Sequence, residues 1–485
     1  MTKIKQISTL FLGRSLNTIV NILFMPYLAR ALSYNDYGTY GQVLLSTDIV
    51  KTIFSGGLAT VIFVFLANTT NQQKKLISSN VFFAFIIGIF SYLILIASSN
   101  FIGNLFNNNQ IDNYILIYGF SIIFSLMNSS LGSVMIYYKK VKAFTFIITS
   151  TNFIKLLLLL ISIQVYQSLN LVFVSIVFIQ ILQFILFYIF LRKRLIINKI
   201  VLPSAWLQLK DGFLLSIMSI LGFFILYSDG IMVSYLTNVK DYAIYRNGAI
   251  EVPLISTLYL SIAQIILPKI TQLYSNGNFK EIIRLKNKIV INSALIIFPI
   301  AVYFIFFSKE FIVTYVSQKY VDSSIVFTIF TFTLLIRIND YLDVLISAKK
   351  NRLIVIIHLS VFILNIILNY ILINLIGYKG AAIATVISLY LYSASFVYIT
   401  SRVLNTNIKS IFNYFEILKI LAVSLILIVP FYIVKIYSFN IITIIFVSLL
   451  YYPLVYYVFY KLNFFDKIII DKIFVMFQKI KKIIV

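Results

Sequence analysis

The stretch "DYGTY" at Asp36–Tyr40 returns as "DYAIY" at Asp241–Tyr245, about 205 residues later in a chain of 485. The surroundings agree as well, because "LARALSYNDYGTY" aligns with "VSYLTNVKDYAIY". In each copy a polar joint precedes the aspartate, which we expect to cap the N-terminus of a helix, and aromatic residues follow at the helix entry. The pattern predicts a chain built from two related halves, although two similar caps can also arise by coincidence.

The composition is that of an integral membrane protein. Apolar residues make up 61% of the chain and aromatic residues 16%, whereas soluble domains contain about 45–50% apolar residues. About fourteen apolar runs follow one another, each of roughly 18–25 residues and so long enough to cross a bilayer as a helix. We predict an all-α polytopic fold whose spans include Ile111–Tyr138, Leu169–Leu191, Arg246–Leu273 and Ser323–Ala348.

The net charge of +25 comes from 40 basic and 15 acidic residues, and its placement argues against a nucleic-acid partner. The basic residues concentrate in every second joint between spans, which under the positive-inside rule predicts that both termini are cytoplasmic. These joints carry Lys3, Lys5, Lys74, Lys75, Lys139, Lys140, Lys142, Arg192, Lys193, Arg194, Lys199, Lys280, Arg284, Lys286, Lys288, Lys349, Lys350, Arg352, Arg402 and Lys409.

The two copies of the repeat are separated by six spans, so both face the same side of the membrane. Halves related in this way have a pseudo-twofold axis along the membrane normal. We therefore predict a six-helix lobe over residues 1–200, a second six-helix lobe over 201–405 and two additional helices over 406–462. Residues 463–485 are predicted to form an amphipathic, lysine-rich helix on the cytoplasmic surface, attracted by anionic lipid.

Several classes of chemistry lack their usual residues in this sequence. The chain has no cysteine and a single histidine, His358, so we expect no metal site of the Cys/His type and no cofactor. It contains no phosphate-binding loop motif and no joint long enough for a soluble domain. A membrane glycosyltransferase or polysaccharide polymerase remains an alternative, but the external joints are short and almost uncharged. We expect a protein that is not an enzyme.

Four stretches carry a resemblance to a known family. They are "ARALSYNDYGTYGQVLL" (Ala29–Leu45), "YSDGIMVSYLTNVKDYAIYRNGA" (Tyr227–Ala249), "ILPKITQLYSNGNFKEIIRL" (Ile266–Leu285) and "NIILNYILINLIGYKGAAIATVIS" (Asn365–Ser388). In spacing and residue type they resemble the Wzx-type O-antigen and polysaccharide flippases of the multidrug/oligosaccharidyl-lipid/polysaccharide exporter superfamily. The lysines at several intramembrane positions depart from the usual pattern and leave the sugar open.

The resemblance implies a substrate and partners. It implies that the protein moves undecaprenyl-pyrophosphate-linked oligosaccharide repeat units from the cytoplasmic to the outer leaflet of the bacterial cytoplasmic membrane, by ion-coupled alternating access. A polysaccharide polymerase and chain-length machinery, which use such repeat units for O-antigen or capsule, are the further partners it suggests. The near alternative within the same fold is a multidrug or cation exporter, whose cationic substrates favour an acidic cavity.

A lipid pyrophosphate needs cations inside the membrane, where they are costly unless paired or hydrated. The candidates for a cationic cavity are Arg14, Lys51, Lys155, Arg246 and Arg337. Arginine is the better phosphate ligand because its planar fork binds two oxygens at once. Lys51 and Arg337 have an alternative, purely structural role, because each lies three residues from an aspartate with which it can pair on one helical face.

Acidic residues within spans are the candidates for a coupling ion, H⁺ or Na⁺. They are Asp48, Asp229, Glu251 and Asp340. An internal salt bridge, for example between Glu251 and Arg246, is the alternative for these carboxylates.

Overall fold

The computed structural model describes residues 22–194, 220–250, 252, 255–437 and 441–464, except 23, 56–57, 60, 63–65, 67–72, 221–222 and 225–226. Residues 465–485 of the predicted C-terminal tail lie outside these residues, as do Arg14 and Glu251. The chain divides into two compact units. Unit 1 comprises Met1–Arg246 and Ile373–Ala381, and unit 2 comprises Asn247–Leu372 and Ala382–Val485.

The regular structure of the described residues is helical throughout. The first eight helices are α1 (Tyr34–Phe54), α2 (Gln73–Ala97), α3 (Ser99–Leu105), α4 (Ile111–Tyr118), α5 (Ser121–Tyr137), α6 (Val141–Gln164), α7 (Leu169–Leu191) and α8 (Val239–Gly248). The others are α9 (Ile255–Ser275), α10 (Phe279–Phe306), α11 (Ser308–Tyr315), α12 (Ser323–Thr331), α13 (Asp343–Ser347), α14 (Asn351–Ile376), α15 (Tyr378–Val403), α16 (Ile408–Ile411), α17 (Tyr414–Tyr437) and α18 (Ile441–Lys461).

The predicted all-α membrane fold is confirmed. Eight helices among the described residues are long and apolar enough to cross a membrane. In the first unit, α2 packs on α5, and α7 packs on both α5 and α6. Large apolar side chains remain exposed on these helices, such as Phe146 and Phe153 of α6, as expected of surfaces that face lipid rather than water. The count of about fourteen spans and the lobe boundaries stay predictions.

The sequence predicted some spans closely and missed breaks in others. Leu169–Leu191 is one helix, α7, with the predicted bounds. Ile111–Tyr138 is also present as one apolar helical stretch, Ile111–Tyr137, within which a turn at Gly119 and Phe120 divides α4 from α5. Hydropathy alone cannot show such a turn, because the residues on both sides of it are apolar.

The span predicted at Arg246–Leu273 begins with a break. Helix α8 ends at Gly248 and α9 begins at Ile255. Arg246 therefore lies in the last turn of a short helix, and its predicted place at the entry of a continuous span is wrong. Glycine is a weak helix former, which favours an end at this point.

The span predicted at Ser323–Ala348 is also interrupted, within unit 2. Helix α12 continues as a short 3₁₀ helix to Leu335, and helical structure resumes only at Asp343. Arg337 and Asp340 lie in the non-helical segment between them. The expectation that these two residues share one helical face is therefore wrong, because no helix carries them.

Candidate functional site

Both copies of the sequence repeat begin a helix with the same cap. At the start of α1, the Ser33 hydroxyl accepts a hydrogen bond from the Asp36 backbone N–H at 3.0 Å and donates one to its carboxylate at 2.6 Å. At the start of α8, Asn238 accepts from the Asp241 N–H at 2.9 Å and donates to its carboxylate at 3.0 Å. The N-caps are thus Ser33 and Asn238, and the aspartates are the third residues of their helices. The predicted role of the aspartates as N-caps is wrong by three positions.

The two copies touch each other inside unit 1 through two glycines of α1. A Cβ on Gly38 would lie 2.5 Å from the backbone oxygen of Val239, at the start of α8. A Cβ on Gly41 would lie 2.4 Å from Arg246 Nη1 and 2.8 Å from Tyr242 Cε1. Real Cβ atoms do not approach other atoms so closely, so the close approach of α1 and α8 requires glycine at Gly38, where the neighbour is backbone. A Cβ at Gly41 would instead displace the side chains of Arg246 and Tyr242.

Arg246 is held by aromatic rings from the first copy. Its guanidinium carbon lies 5.4 Å from the ring centre of Tyr37 and 5.2 Å from that of Tyr40, within the range of cation–π attraction. Tyr242 and Tyr227 are close enough to interact with its charge. Nη1 is shielded from solvent, and within the described part of the chain it has no hydrogen-bond acceptor. A buried donor of this kind is costly unless an acceptor arrives.

An asparagine fixes α1 next to this arginine. Asn108, in the joint between α3 and α4, donates to Thr39 Oγ1 at 2.8 Å and to Gln42 Oε1 at 2.7 Å. Gln42 in turn donates to the carbonyl of Phe106 at 3.2 Å. All three polar side chains are buried. Because they satisfy one another, they hold the turn of α1 that carries Gly41 in a defined position.

Asp229 lies on the helical segment 227–236, close to the second copy of the repeat. Its side chain is buried, with 8% exposed. One carboxylate oxygen accepts a hydrogen bond from the Tyr245 hydroxyl, and the other accepts one from the Gly230 backbone N–H at 2.9 Å. This predicted ion-coupling residue therefore lies in unit 1, as Arg246 does. The hydrogen-bond partner of Asp229, Tyr245, is the residue immediately before Arg246 in the chain.

Lys51 and Asp48 lie further along α1 and form an ion pair. Their side chains are 34% and 36% exposed, so neither charge is fully withdrawn from solvent. The structural pairing that the spacing of three residues suggested is present. A role for Lys51 in substrate binding or for Asp48 in ion coupling stays a prediction.

The remaining predicted site residues are not part of this cluster. Lys155 lies in α6 and is partly buried. Arg337 and Asp340 lie in the interrupted span of unit 2, and both are partly buried. The structure thus groups Arg246 and Asp229 with the repeat. It describes Lys51, Asp48 and Lys155 at other positions of unit 1 and Arg337 and Asp340 in unit 2, whereas Arg14 and Glu251 lie outside the described residues.

Sequence reasoning missed a buried ion pair in unit 2. It assigned Lys286 to a basic joint, but Lys286 is only 3% exposed in α10. Its ammonium donates to both carboxylate oxygens of Asp343 at 2.7 Å and to the carbonyl of Asp340 at 2.9 Å. The sequence does contain a signal for the burial of Lys286. Asn278 caps α10, and a helix that starts there places Lys286 two turns inside the helix rather than in a joint.

A second missed ion pair fixes α17, which belongs to the predicted additional helix pair. Lys435 of α17 contacts Glu310 of α11 at 3.0 Å and donates to the carbonyl of Phe306 at 2.7 Å. The ammonium also lies 5.3 Å from the ring centre of Phe307. The sequence alone did not indicate this pair, because Lys435 and Glu310 are more than a hundred residues apart in the chain.

Metal ions have no evident site in the described residues, which contain no group of three or more His, Asp or Glu side chains suited to one.

Comparison with known proteins gives a family and a fold. Residues 27–325 match a family model described as "Polysaccharide biosynthesis protein". No curated protein matches the chain. The lipid II flippase MurJ, in an inward closed conformation, aligns with a TM-score of 0.73 and 18% identity, covering 95% of this chain and 99% of MurJ. An inward-facing multidrug resistance MATE family transporter aligns with a TM-score of 0.62 and 12% identity, covering 83% of this chain and 98% of its own.

A third solved structure widens the comparison. It is a MOP superfamily transporter from Pyrococcus furiosus, described by the reverse polarity of its binding pocket, with a TM-score of 0.55 and 14% identity. The alignment covers 82% of this chain and 95% of that one. At these identities the likenesses establish the fold, and together with the family match they confirm the resemblance found in the sequence.

Proposed function

This chain belongs to the family of polysaccharide biosynthesis proteins, and we propose that it flips a lipid-linked oligosaccharide across a membrane. The substrate we propose is an undecaprenyl-pyrophosphate-linked repeat unit for O-antigen or capsule. The movement runs from the cytoplasmic to the outer leaflet of the bacterial cytoplasmic membrane, with both termini of the protein in the cytoplasm.

The buried guanidinium of Arg246 supports an anionic substrate most directly. A pyrophosphate brings about two negative charges, and an arginine binds phosphate oxygens through parallel N–H donors. Nη1 has no acceptor within the described residues, while the rings of Tyr37 and Tyr40 hold the side chain in place. A phosphate oxygen is the acceptor that this arrangement fits.

Further cations extend the proposed path of the head group. Lys51 follows Gly41 by ten residues on α1, which is about 15 Å along the helix axis. Asp48 now neutralises it, so we propose that the head group displaces this carboxylate as it passes. Arg14, Lys155 and Arg337 are proposed as the remaining cations of the path on their sequence positions.

The coupling of transport to an ion gradient is proposed for buried carboxylates. Asp229 is the first candidate, because it is buried and accepts a hydrogen bond from Tyr245, the neighbour of Arg246 in the chain. Binding of H⁺ or Na⁺ at Asp229 would alter the charge near the proposed phosphate site. Glu251, Asp48 and Asp340 are the other proposed ion-coupling residues, and a polymerase and chain-length machinery are the proposed partners.

A multidrug exporter is the second candidate function, favoured by the structural likeness to a MATE family transporter. An organic cation would meet the positive charge of Arg246 in a low-dielectric site, where like charges repel strongly. This electrostatic conflict makes an anionic lipid head group the better substrate for the described site.

Transport by purified protein in proteoliposomes tests the proposal. The vesicles carry a fluorescent undecaprenyl-pyrophosphate oligosaccharide, and a membrane-impermeant quencher reports the fraction in the outer leaflet. We expect the protein to speed equilibration between leaflets relative to vesicles with inactive, heat-treated protein. Arg14→Ala and Lys155→Ala are expected to slow it if these cations line the path.

The same vesicles loaded with an organic cation provide the competing measurement. Export of the cation without movement of any lipid-linked sugar would overturn the flippase proposal in favour of a multidrug exporter. Formation of a longer glycan from repeat units by the purified protein would instead indicate a polymerase.

A further inference from the structure

The repeat places two very different residues at equivalent positions. Gly41 follows "DYGTY" and Arg246 follows "DYAIY". Both positions lie five residues after the aspartate whose N–H donates to the N-cap side chain. Counted from the caps, Gly41 and Arg246 therefore occupy the same place in their helices. The second copy of the repeat has a guanidinium at this position, and the first copy has a glycine, which has no side chain.

These two equivalent residues also face each other. A Cβ built on Gly41 would lie 2.4 Å from Arg246 Nη1, 2.8 Å from Tyr242 Cε1 and 3.0 Å from Arg246 Cδ. The nearest atom is thus the far end of a flexible side chain rather than a backbone. At Gly38, in contrast, the nearest atom to a built Cβ is a backbone oxygen, Val239 O, at 2.5 Å.

The two glycines therefore have different roles: Gly38 allows the two helices to pack closely, and Gly41 positions the side chain of Arg246. Any side chain at Gly38 must push the backbone of α8 away, so Gly38 serves the approach of the two helices. A side chain at Gly41 can be accommodated when the guanidinium moves and the Tyr242 ring shifts with it. The absence of a Cβ at Gly41 therefore determines where the charge of Arg246 lies.

We propose that Gly41 is a positioning residue for Arg246, and that either copy of the repeat can supply the single guanidinium that binds a phosphate of the substrate. The inference rests on the proposed function, because it takes Arg246 as the group that binds the lipid diphosphate. The two positions are equivalent in their helices and share one space, so exchanging glycine and arginine returns one guanidinium to that space from the opposite helix.

The test is an exchange of the two residues. The full-length protein in detergent is titrated with farnesyl diphosphate, a short lipid diphosphate, by calorimetry. We expect Arg246→Gly to weaken binding at least about tenfold, as loss of a charge-assisted hydrogen bond implies. The double variant Gly41→Arg/Arg246→Gly is expected to recover binding to within about threefold of the original protein. Lys240→Ala, which removes an exposed cation from the same helix, is the control and should bind normally.

A second comparison decides the matter if the exchanged protein does not fold. Gly41→Ala is expected to weaken binding of farnesyl diphosphate while leaving the melting temperature nearly unchanged, because the guanidinium can move. In an Arg246→Lys background the same Gly41→Ala change should have little further effect, because the group that the new Cβ displaces is gone. Equal effects of Gly41→Ala in both backgrounds would overturn the positioning role.

The outcomes separate this inference from the proposed function. If the original protein binds farnesyl diphosphate and a folded exchange variant binds no better than Arg246→Gly, the inference is wrong and the proposed function stands. If the original protein does not bind farnesyl diphosphate at all, both fail together.

Discussion

At the scale of single residues, two buried cations are treated in opposite ways. The ammonium of Lys286 has three N–H donors and three acceptors, which are the two carboxylate oxygens of Asp343 and the carbonyl of Asp340. Arg246 has a shielded Nη1 for which the described residues provide no acceptor. The first cation is satisfied by the fold itself, and for the second, whose Nη1 has no acceptor among the described residues, we propose that a ligand supplies one.

Removing Lys286, the cation whose donors are all paired, should lower the stability of the folded protein. Lys286→Met leaves the Asp343 carboxylate buried without a counter-charge, which typically costs about 3–5 kcal/mol. We expect a clear fall in the melting temperature in detergent. The double variant Lys286→Met/Asp343→Leu should recover most of it, because replacing both charges by apolar groups is often neutral. A single variant as stable as the original protein would show that the pair has no structural role.

Removing the other cation should not destabilise the protein. Arg246→Leu removes a donor without an acceptor among the described residues and keeps an apolar side chain in its place, so we expect an equal or slightly higher melting temperature. The same thermal scan measures it beside Lys286→Met. A loss of stability as large as that of Lys286→Met would mean that Arg246 serves the fold rather than a ligand.

The sequence identified Arg246 as a candidate because a cation stands out in an apolar chain. It indicated the pairing of Lys51 with Asp48 because that pair depends only on local spacing. It did not predict the partner of Lys286, which is 57 residues away. Which charges meet across helices is a property of the packed fold, and periodicity along one helix contains no information about it.

At the scale of elements, the main departure from the sequence prediction is the interrupted span of unit 2. Backbone groups freed inside a membrane must find partners in the protein. Here Tyr341 donates its hydroxyl to the carbonyl of Ile336 at 2.7 Å, and the Leu342 N–H donates to the Asp340 carboxylate at 3.0 Å. Lys286 covers the Asp340 carbonyl. Side chains thus replace the missing helical hydrogen bonds. The mean hydropathy of a stretch of sequence cannot reveal this replacement.

Hydrogen exchange should identify the interruption. We expect the amides of residues 338–341 to exchange faster than those of α12 and α10, because they lack the i to i−4 bonds that protect a helix. Mass spectrometry of the protein in detergent or nanodiscs resolves the segment on peptides from both sides of it. Protection of residues 338–341 equal to that of α12 would indicate a continuous helix and contradict the break.

At the scale of the whole molecule, composition and charge placement predicted the fold class. The eight long apolar helices of the described residues and the likeness in fold to MurJ confirm a multi-pass membrane protein, and the family match shows that it is a polysaccharide biosynthesis protein. The orientation of the chain still depends on the positive-inside rule, and its lobe boundaries at residues 200 and 405 remain predictions. Orientation is defined only relative to the two sides of a membrane, so it has to be measured with the protein inserted in one.

Cysteine labelling tests the orientation, and the chain is well suited to it because it contains no cysteine. Asn276→Cys, in the exposed joint before α10, is predicted to be cytoplasmic. Gln318→Cys, exposed after α11, is predicted to be external. In intact cells a membrane-impermeant maleimide should label only the second variant, and it should label both after permeabilisation. The reverse pattern would contradict the assigned orientation.

The central claim is that a guanidinium held between the two copies of the repeat binds the anionic head of a lipid-linked sugar during transport. The most direct measurement is the rate at which proteoliposomes flip a fluorescent undecaprenyl-pyrophosphate oligosaccharide, compared between the original protein, Arg246→Ala and Lys240→Ala at equal amounts of folded protein. The account predicts that Arg246→Ala flips at least about tenfold more slowly, while Lys240→Ala keeps the original rate. Unchanged flipping by Arg246→Ala, or an equal loss in both variants, would contradict it.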